Sequence, residues 1–273
     1  MFKLTSKYLF SLIILLSITN CKAQDQRAHR KGEFYFSWGY NKDWYTKSTV
    51  KVSQPDLGNN YKFINVQGHD NPGWDHELLK KDLTIPQYNY RLGYFFNNKK
   101  NLGFEINFDH TKFIITDGQT VKINGNLNNK IIDSSLLFSK GNGFYYYLNN
   151  GANFLLFNIV KRCEWARSKN FKIDFLGKAG IGPVIPHVEN GLFGQPNNQG
   201  FQFGGWNIGV ESAIRATFVR HIYLEFAGKL DYARYSNLEV YKGTAKHAFN
   251  TAELILSLGY TFKQGGYIKN RKR

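Results

Sequence analysis

Apolar side chains recur at every second position along most of this chain. In "RHIYLEFAGKLDYARY", residues 220–235, Ile222, Leu224, Phe226, Leu230 and Tyr232 share one face, while Glu225, Lys229 and Asp231 share the other. Near the C-terminus Ala252, Leu254, Leu256, Leu258, Tyr260 and Phe262 alternate with Glu253, Ser257, Gly259 and Thr261, and Ile255 joins the polar face. Trp206, Ile208, Val210, Ile214 and Phe218 stand against Asn207, Glu211, Arg215 and Thr217. Phe171, Ile173, Phe175, Ala179 and Ile181 oppose Lys172, Asp174 and Lys178, and Phe104, Ile106 and Phe108 oppose Glu105, Asn107 and Asp109. The runs Tyr88–Tyr94 and Phe34–Tyr40 carry the same rhythm. A period of two marks a β-strand with one apolar face. Glu225 and Lys229 also suit a helix at i,i+4, but Leu224, Gly228 and Tyr232 fit no helical stripe.

The pattern predicts eight strands, near 33–44, 85–97, 101–115, 150–161, 170–183, 204–219, 221–235 and 247–262. Their connections alternate. Long ones (45–84, 116–149, 184–203 and 236–246) take turns with short ones (98–100, 162–169 and residue 220). After residue 23 nothing approaches the roughly 18 consecutive apolar residues of a transmembrane helix. Alternating long and short connections are the arrangement of a membrane-spanning barrel, with long loops outside and short turns and both termini on the periplasmic side. Hydrocarbon offers backbone N–H and C=O groups no partner, so a sheet that crosses it must close on itself. The expected fold class is all-β: an antiparallel up-and-down transmembrane β-barrel of about eight strands. Connections 45–84 and 116–149 are long enough to hold hairpins, which keeps a count of ten open.

If the apolar faces meet lipid, the charged faces meet one another. Glu105, Asp109, Glu211, Glu225, Asp231 and Glu253 then face Arg91, Lys172, Lys178, Arg215 and Lys229 across the interior. A barrel of about eight strands is filled by side chains rather than water. Unpaired charges there are costly, so the near balance of signs is what a packed polar lumen requires.

The N-terminus stands apart. Lys3 and Lys7 precede the short apolar run Leu9–Ile18, and a cut after Ala23 makes residues 1–23 a secretory signal peptide. Lipidation at Cys21 is the alternative, with Asn20 a poor match to the small residue that signal prefers. The expected organisation is 1–23 signal peptide, 24–262 barrel and 263–273 basic tail. After cleavage Cys163 is the one cysteine left, in a short turn and without a partner. The formal charge of +16 falls to +13 with Lys3, Lys7 and Lys22 gone. Export argues against nucleic acid as the partner. Anionic lipopolysaccharide or a phospholipid surface is the natural counter-charge, although a run such as "KQGGYIKNRKR" is more often just solvated.

On these strands, their spacing and the closing "LSLGYTF", the chain resembles the small outer-membrane β-barrels of Gram-negative bacteria, those similar to outer-membrane protein A and its eight-stranded relatives. The resemblance covers nearly the whole mature chain. It implies an outer-membrane location, contact with outer-membrane lipids and lipopolysaccharide, and a last strand recognised by barrel-assembly machinery. Phe262 is followed by eleven residues, whereas that recognition signal is normally terminal. Relatives include adhesins, structural barrels and enzymes that act on lipid A.

The resemblance also says what such an enzyme would carry. A deacylase would show a His-x-Ser pair, and none of the seven histidines has serine two positions on. His110 and Thr111 are adjacent, so on a strand they point to opposite faces, and His110 reads as an interfacial side chain. An acyltransferase would place His, Asp and Ser in outer loops, where "GHDNPGWDHE" supplies His69, Asp70, Asp75, His76 and Glu77. That spacing matches no defined metal or catalytic site. His69, Asp70, His76 and His110 are therefore only weak catalytic candidates, and no metal or cofactor is expected. "GKAGIG" (Gly177–Gly182) lacks the lysine and helix of a phosphate loop. "GFYYYLNNGANF" (Gly143–Phe154) suits an aromatic girdle better than a sugar-stacking surface. The expected function is a non-enzymatic structural or surface-interaction barrel; a lipid A-modifying enzyme and a narrow pore are the alternatives.

Overall fold

A computed structural model describes residues 32–73, 86–96 and 101–263. The expected signal peptide, Cys21, Asp75, His76, Glu77 and all but the first residue of the basic tail lie outside the described residues. Strands β1 (Glu33–Tyr45), β2 (Ser48–Gln54), β3 (Asn59–Val66) and β4 (Gly68–His69) come first. Next are β5 (Tyr88–Phe95), β6 (Leu102–Asp109), β7 (Phe113–Ile115), β8 (Gln119–Leu127), β9 (Lys130–Phe138) and β10 (Tyr145–Leu148). The chain continues through β11 (Phe154–Arg167), β12 (Phe171–Val184), β13 (His187–Leu192) and β14 (Gln195–Phe201). It ends with β15 (Gly205–Phe218), β16 (Ile222–Val240) and β17 (Gly243–Lys263).

Eight of these, β1, β5, β6, β11, β12, β15, β16 and β17, pair in that order, every pair antiparallel. The ring closes where β1 pairs with β17, from Glu33 opposite Lys263 to Tyr45 opposite Thr251. Closure leaves this sheet no edge through its membrane-facing height. The barrel has eight strands, not ten, because the extra hairpins stand beyond it rather than in its wall.

Those hairpins are the main departure from the sequence expectation. Connection 45–84 contains β2 and β3, and connection 116–149 contains β8 and β9. Asn128 and Asn129 turn the second hairpin with φ of 50° and 60°, the paired left-handed residues of a tight type I′ turn. β2 hydrogen-bonds to the outer end of β17, and β3, β8 and β9 extend the sheet beyond the barrel. A second sheet, β14-β13-β10-β7-β4, completes the outer end. Val50, Val52, Tyr61, Phe63, Val121 and Ile123 of the first sheet pack in one core with Phe113, Tyr146, Leu148, Val188 and Leu192 of the second. We call this unit the cap. Two tyrosines fasten it to the barrel: Tyr45 donates to the Lys112 carbonyl and Tyr235 to the Ala152 carbonyl, each at 2.8 Å.

The cap also corrects two boundaries and one reading of an aromatic run. The strand expected to run to residue 115 stops at Asp109, because His110, Thr111 and Lys112 turn under the cap and are buried. Connection 236–246 is no loop: β16 runs on to Val240 past a register shift after Tyr235, where Asn237 has φ of 57°. "GFYYYLNNGANF" is not a girdle, since Phe144, Tyr146, Leu148, Ala152 and Phe154 are buried in the cap core. Cys163, expected to be without a partner, is not free.

Candidate functional site: the barrel interior and its outer end

The interior is one connected set of charges. Arg91 on β5 donates to Asp109 at 2.6 Å and to Glu211 at 3.3 Å, with Glu105 at 3.8 Å. Lys178 on β12 sits among Glu105, Glu211 and Glu225 at 3.1, 2.8 and 2.8 Å. Arg215 reaches Glu225 at 2.6 Å. Lys229 on β16 holds Asp109, Glu253 and Asp231 at 2.7, 3.1 and 3.4 Å. Arg91, Lys178 and Lys229 each meet carboxylates from more than one strand, so their ion pairs tie different parts of the wall together. All of these side chains are buried. In so dry an interior a charge is tolerable only when paired and hydrogen-bonded.

Aromatic rings finish the packing toward the short-turn end. The Arg215 guanidinium lies 4.3 Å from the Tyr35 ring and 4.0 Å from the Tyr223 ring, and that of Arg162 lies 3.9 Å over Phe95. Tyr35 lies against Gly93 and Tyr223 against Gly259, where a Cβ would strike the ring, so glycine is needed at both wall positions. Ile255, the apolar residue on the polar face of β17, packs with Tyr35, Tyr223, Val160 and Leu176.

Lys172 is the one expected interior cation that is not fully buried; it pairs with Asp174 at 2.6 Å near the short-turn rim. The sequence reading missed the pair Arg162–Glu33 at 2.6 Å. It also missed Asp43, which accepts from Asn41, Tyr45 and Gln87 at the outer end. Their alternation with Phe34, Trp44 and Ile159 was the available signal.

The outside of the wall is as apolar as the inside is charged. Ile222, Leu224 and Phe226 on β16 and Leu254, Leu256 and Leu258 on β17 are exposed, Leu256 by 57%. From Ile222 to Tyr232 the wall rises about 25 Å, taking about 3.3 Å per residue and a tilt of about 40°. Aromatic pairs mark both rims: Trp206–Tyr232 at 5.6 Å on the outer, Phe34–Tyr94 at 4.7 Å and Tyr260–Phe262 at 4.8 Å on the other. A closed wall with an apolar band of bilayer height and ringed rims is built to stand in hydrocarbon.

The chain folds as a small eight-stranded antiparallel β-barrel with an apolar outer face. Similar solved structures include the attachment invasion locus protein Ail of Yersinia pestis in complex with the heparin analogue sucrose octasulfate. It is 14% identical, over 85% of this chain and 99% of that chain, with a TM-score of 0.33. OprG of Pseudomonas aeruginosa is 10% identical over 88% of this chain and 100% of that chain, with a TM-score of 0.41. The outer membrane protease OmpT of Escherichia coli is 10% identical over the same shares, with a TM-score of 0.31. No family model matches the sequence, and no curated protein matches it. The assignment rests on the closed ladder and the apolar band, not on these distant likenesses.

The structure does not bring the weak catalytic candidates together. His69, on β4, is exposed and its Nδ1 is 3.1 Å from the Thr116 hydroxyl. Asp70 accepts from the Lys42 ammonium at 3.1 Å and the Asp43 amide at 3.0 Å. His110 is not interfacial: it is buried, stacked on Tyr88 at 4.6 Å, with Nδ1 2.8 Å from Asn153 Oδ1. Among the described residues no hydrogen bond links His69, Asp70 and His110. A pair the sequence hid is Ser48 Oγ and His247 Nδ1, at 3.2 Å. Both are buried, His247 is stacked on Tyr235 at 5.0 Å, and its Nε2 has no hydrogen-bond partner to orient it as a base. Burial holds His110 down at about 4 and His247 at about 3, so both are neutral members of the cap.

Two outcomes follow from this geometry. Lys178→Met leaves Glu105, Glu211 and Glu225 without their shared cation and should cost about 3–5 kcal/mol in urea unfolding. Lys122→Met, which breaks the exposed Lys122–Asp133 pair, should cost about 1 kcal/mol or less; equal losses would contradict a packed ionic interior. The buried histidines add an acid dependence. Below pH 6.5 the unfolded chain takes up protons that the folded cap refuses, so cap stability is full above 6.5 and drains as pH falls toward 4 and 3. His247→Phe keeps the ring stack and should flatten the slope of cap amide exchange between pH 7 and 5; an unchanged slope would exclude His247 as its source.

Proposed function

We propose that this chain is an integral outer-membrane protein of non-enzymatic, structural or surface-interaction type, with both termini in the periplasm and the cap outside. One observation carries the reading. The interior is crossed by the buried ion pairs of Arg91, Lys178, Arg215 and Lys229, and an aromatic core lies across its outer end, which supports a filled lumen. A lumen filled in this way leaves no water column for solutes, and its charges serve the wall. The surfaces left for partners are the lipid-facing wall and the outside of the cap. Lipids and lipopolysaccharide are the partners of the wall, and barrel-assembly machinery reads the last strand, β17, during insertion. The leader at 1–23 delivers the chain to the envelope.

Planar-bilayer recording separates this reading from a pore. Purified protein should insert stably and stay electrically silent in molar salt, and discrete conductance steps would overturn the filled lumen. In whole cells the lipid A mass spectrum with the gene should match that without it. A lost or added acyl chain would make the protein an enzyme.

A further inference from the structure

Four cations stand together on the outside of the wall, at the level where the barrel becomes the cap. Across neighbouring strands Lys62 of β3 is opposite Lys51 of β2, and Lys51 is opposite Lys246 of β17. Arg234 of β16 is opposite Ala248, two residues along β17 from Lys246. Lys51, Lys246 and Arg234 are exposed and Lys62 is half-buried, all on the outward face. Like charges directly opposite on adjacent strands repel and weaken a sheet. Among the described residues none of the four has an ion pair, whereas Lys122 on neighbouring β8 is paired with Asp133 at 2.9 Å. Lys51, Lys246 and Arg234 therefore lack the counter-charge that Asp133 gives Lys122 and, at longer range, Lys62.

The group also borders an open cleft. A cavity of about 330 Å³ opens between Thr49, Lys51, Tyr232, Arg234 and Lys246. Tyr232 is the last outward residue of the apolar band on β16, and Arg234 is the next. The cleft thus begins where hydrocarbon ends and rises into the headgroup layer. The groups that press on a wall at that height are lipid headgroups, and the anions they carry are phosphates. A guanidinium fork, two ammonium groups and the hydroxyls of Thr49 and Tyr232 are the donors a phosphate takes.

We propose that Lys51, Arg234 and Lys246 form a binding site for the phosphate groups of a membrane lipid headgroup, held against the outer wall between β2, β16 and β17. Lys62 extends the same field. The bound anion supplies the missing counter-charge, so lipid binding and cap docking onto β17 support each other. This inference rests on the outer-membrane reading and narrows its lipid partner to one place on the wall.

The test compares wild-type protein with the triple variant Lys51→Gln, Arg234→Gln, Lys246→Gln, both extracted from outer membranes in mild detergent. Native mass spectrometry reads binding of purified lipopolysaccharide, its dephosphorylated form, and inorganic pyrophosphate. Wild-type should bind the phosphorylated lipid at least about tenfold more tightly than the variant, and the dephosphorylated lipid should show no such difference. Lys122→Gln should bind like wild-type. Freed of lipid, the triple variant should be no less stable than wild-type, because only repulsion has been removed; a large loss would make the cations structural instead. Equal lipid binding by wild-type and triple variant would overturn the site while leaving the location intact. Pyrophosphate binding as tight as that of the lipid would assign the cleft to a soluble phosphate. Absence of wild-type protein from the outer-membrane fraction would sink the location itself.

Discussion

Each backbone N–H and C=O that meets hydrocarbon has to find its partner within the chain, and the ladder between β1 and β17 is where this sequence satisfies that demand. On an open sheet the edge groups would face lipid unpaired; here the first and last strands of the barrel meet from Glu33–Lys263 to Tyr45–Thr251, so the wall has no lipid-facing edge. Once the ring closes, the alternation of each strand leaves no choice about which side chains meet. Leu254, Leu256 and Leu258 go to lipid, and Glu253 and Ser257 go inside. The charged interior is a consequence of closure, and its ion pairs are what make that consequence tolerable.

The interior network and the cap share one physical logic. Arg91, Lys178 and Lys229 each satisfy carboxylates from separate strands, so the charges act as cross-braces. Above them β16 and β17 run on past the bilayer, and β2 takes its register from β17 at Thr244, Ala245 and Lys246. The cap core then forms between two sheets, as in a soluble β protein, with Phe63, Tyr146 and Phe113 as its large buried residues. The chain so joins two solvents' solutions, an apolar-out wall in lipid and an apolar-in core in water. Lys51, Arg234 and Lys246 stand at the seam.

Much of this was legible in the sequence. Period-two alternation marks all eight barrel strands, and the sign-balanced faces put Arg91, Glu105, Glu211, Glu225 and Lys229 on one side of the wall. The cap was harder to read because its hairpins obey the same rhythm with the opposite meaning: Val50, Val52, Tyr61 and Phe63 point to a core, not to lipid. Alternation alone does not say which solvent lies beyond the apolar face. Likewise His110, Thr111 and Lys112 continue the look of the strand that ends at Asp109, and only the cap packed above them explains why they turn. The Ser48–His247 pair, 199 residues apart in sequence, depends on β2 docking on β17 and has no local signature.

The central claim is that β1 and β17 close the wall. Hydrogen–deuterium exchange of the folded protein in micelles measures it most directly, through the amides of Phe34–Trp44 on β1 and Ala252–Phe262 on β17. The account predicts that these amides exchange as slowly as those of β15 and β16, which lie in the middle of the ladder. Fast exchange confined to the facing edges of β1 and β17, with the other strands protected, would mean an open sheet and would contradict the account.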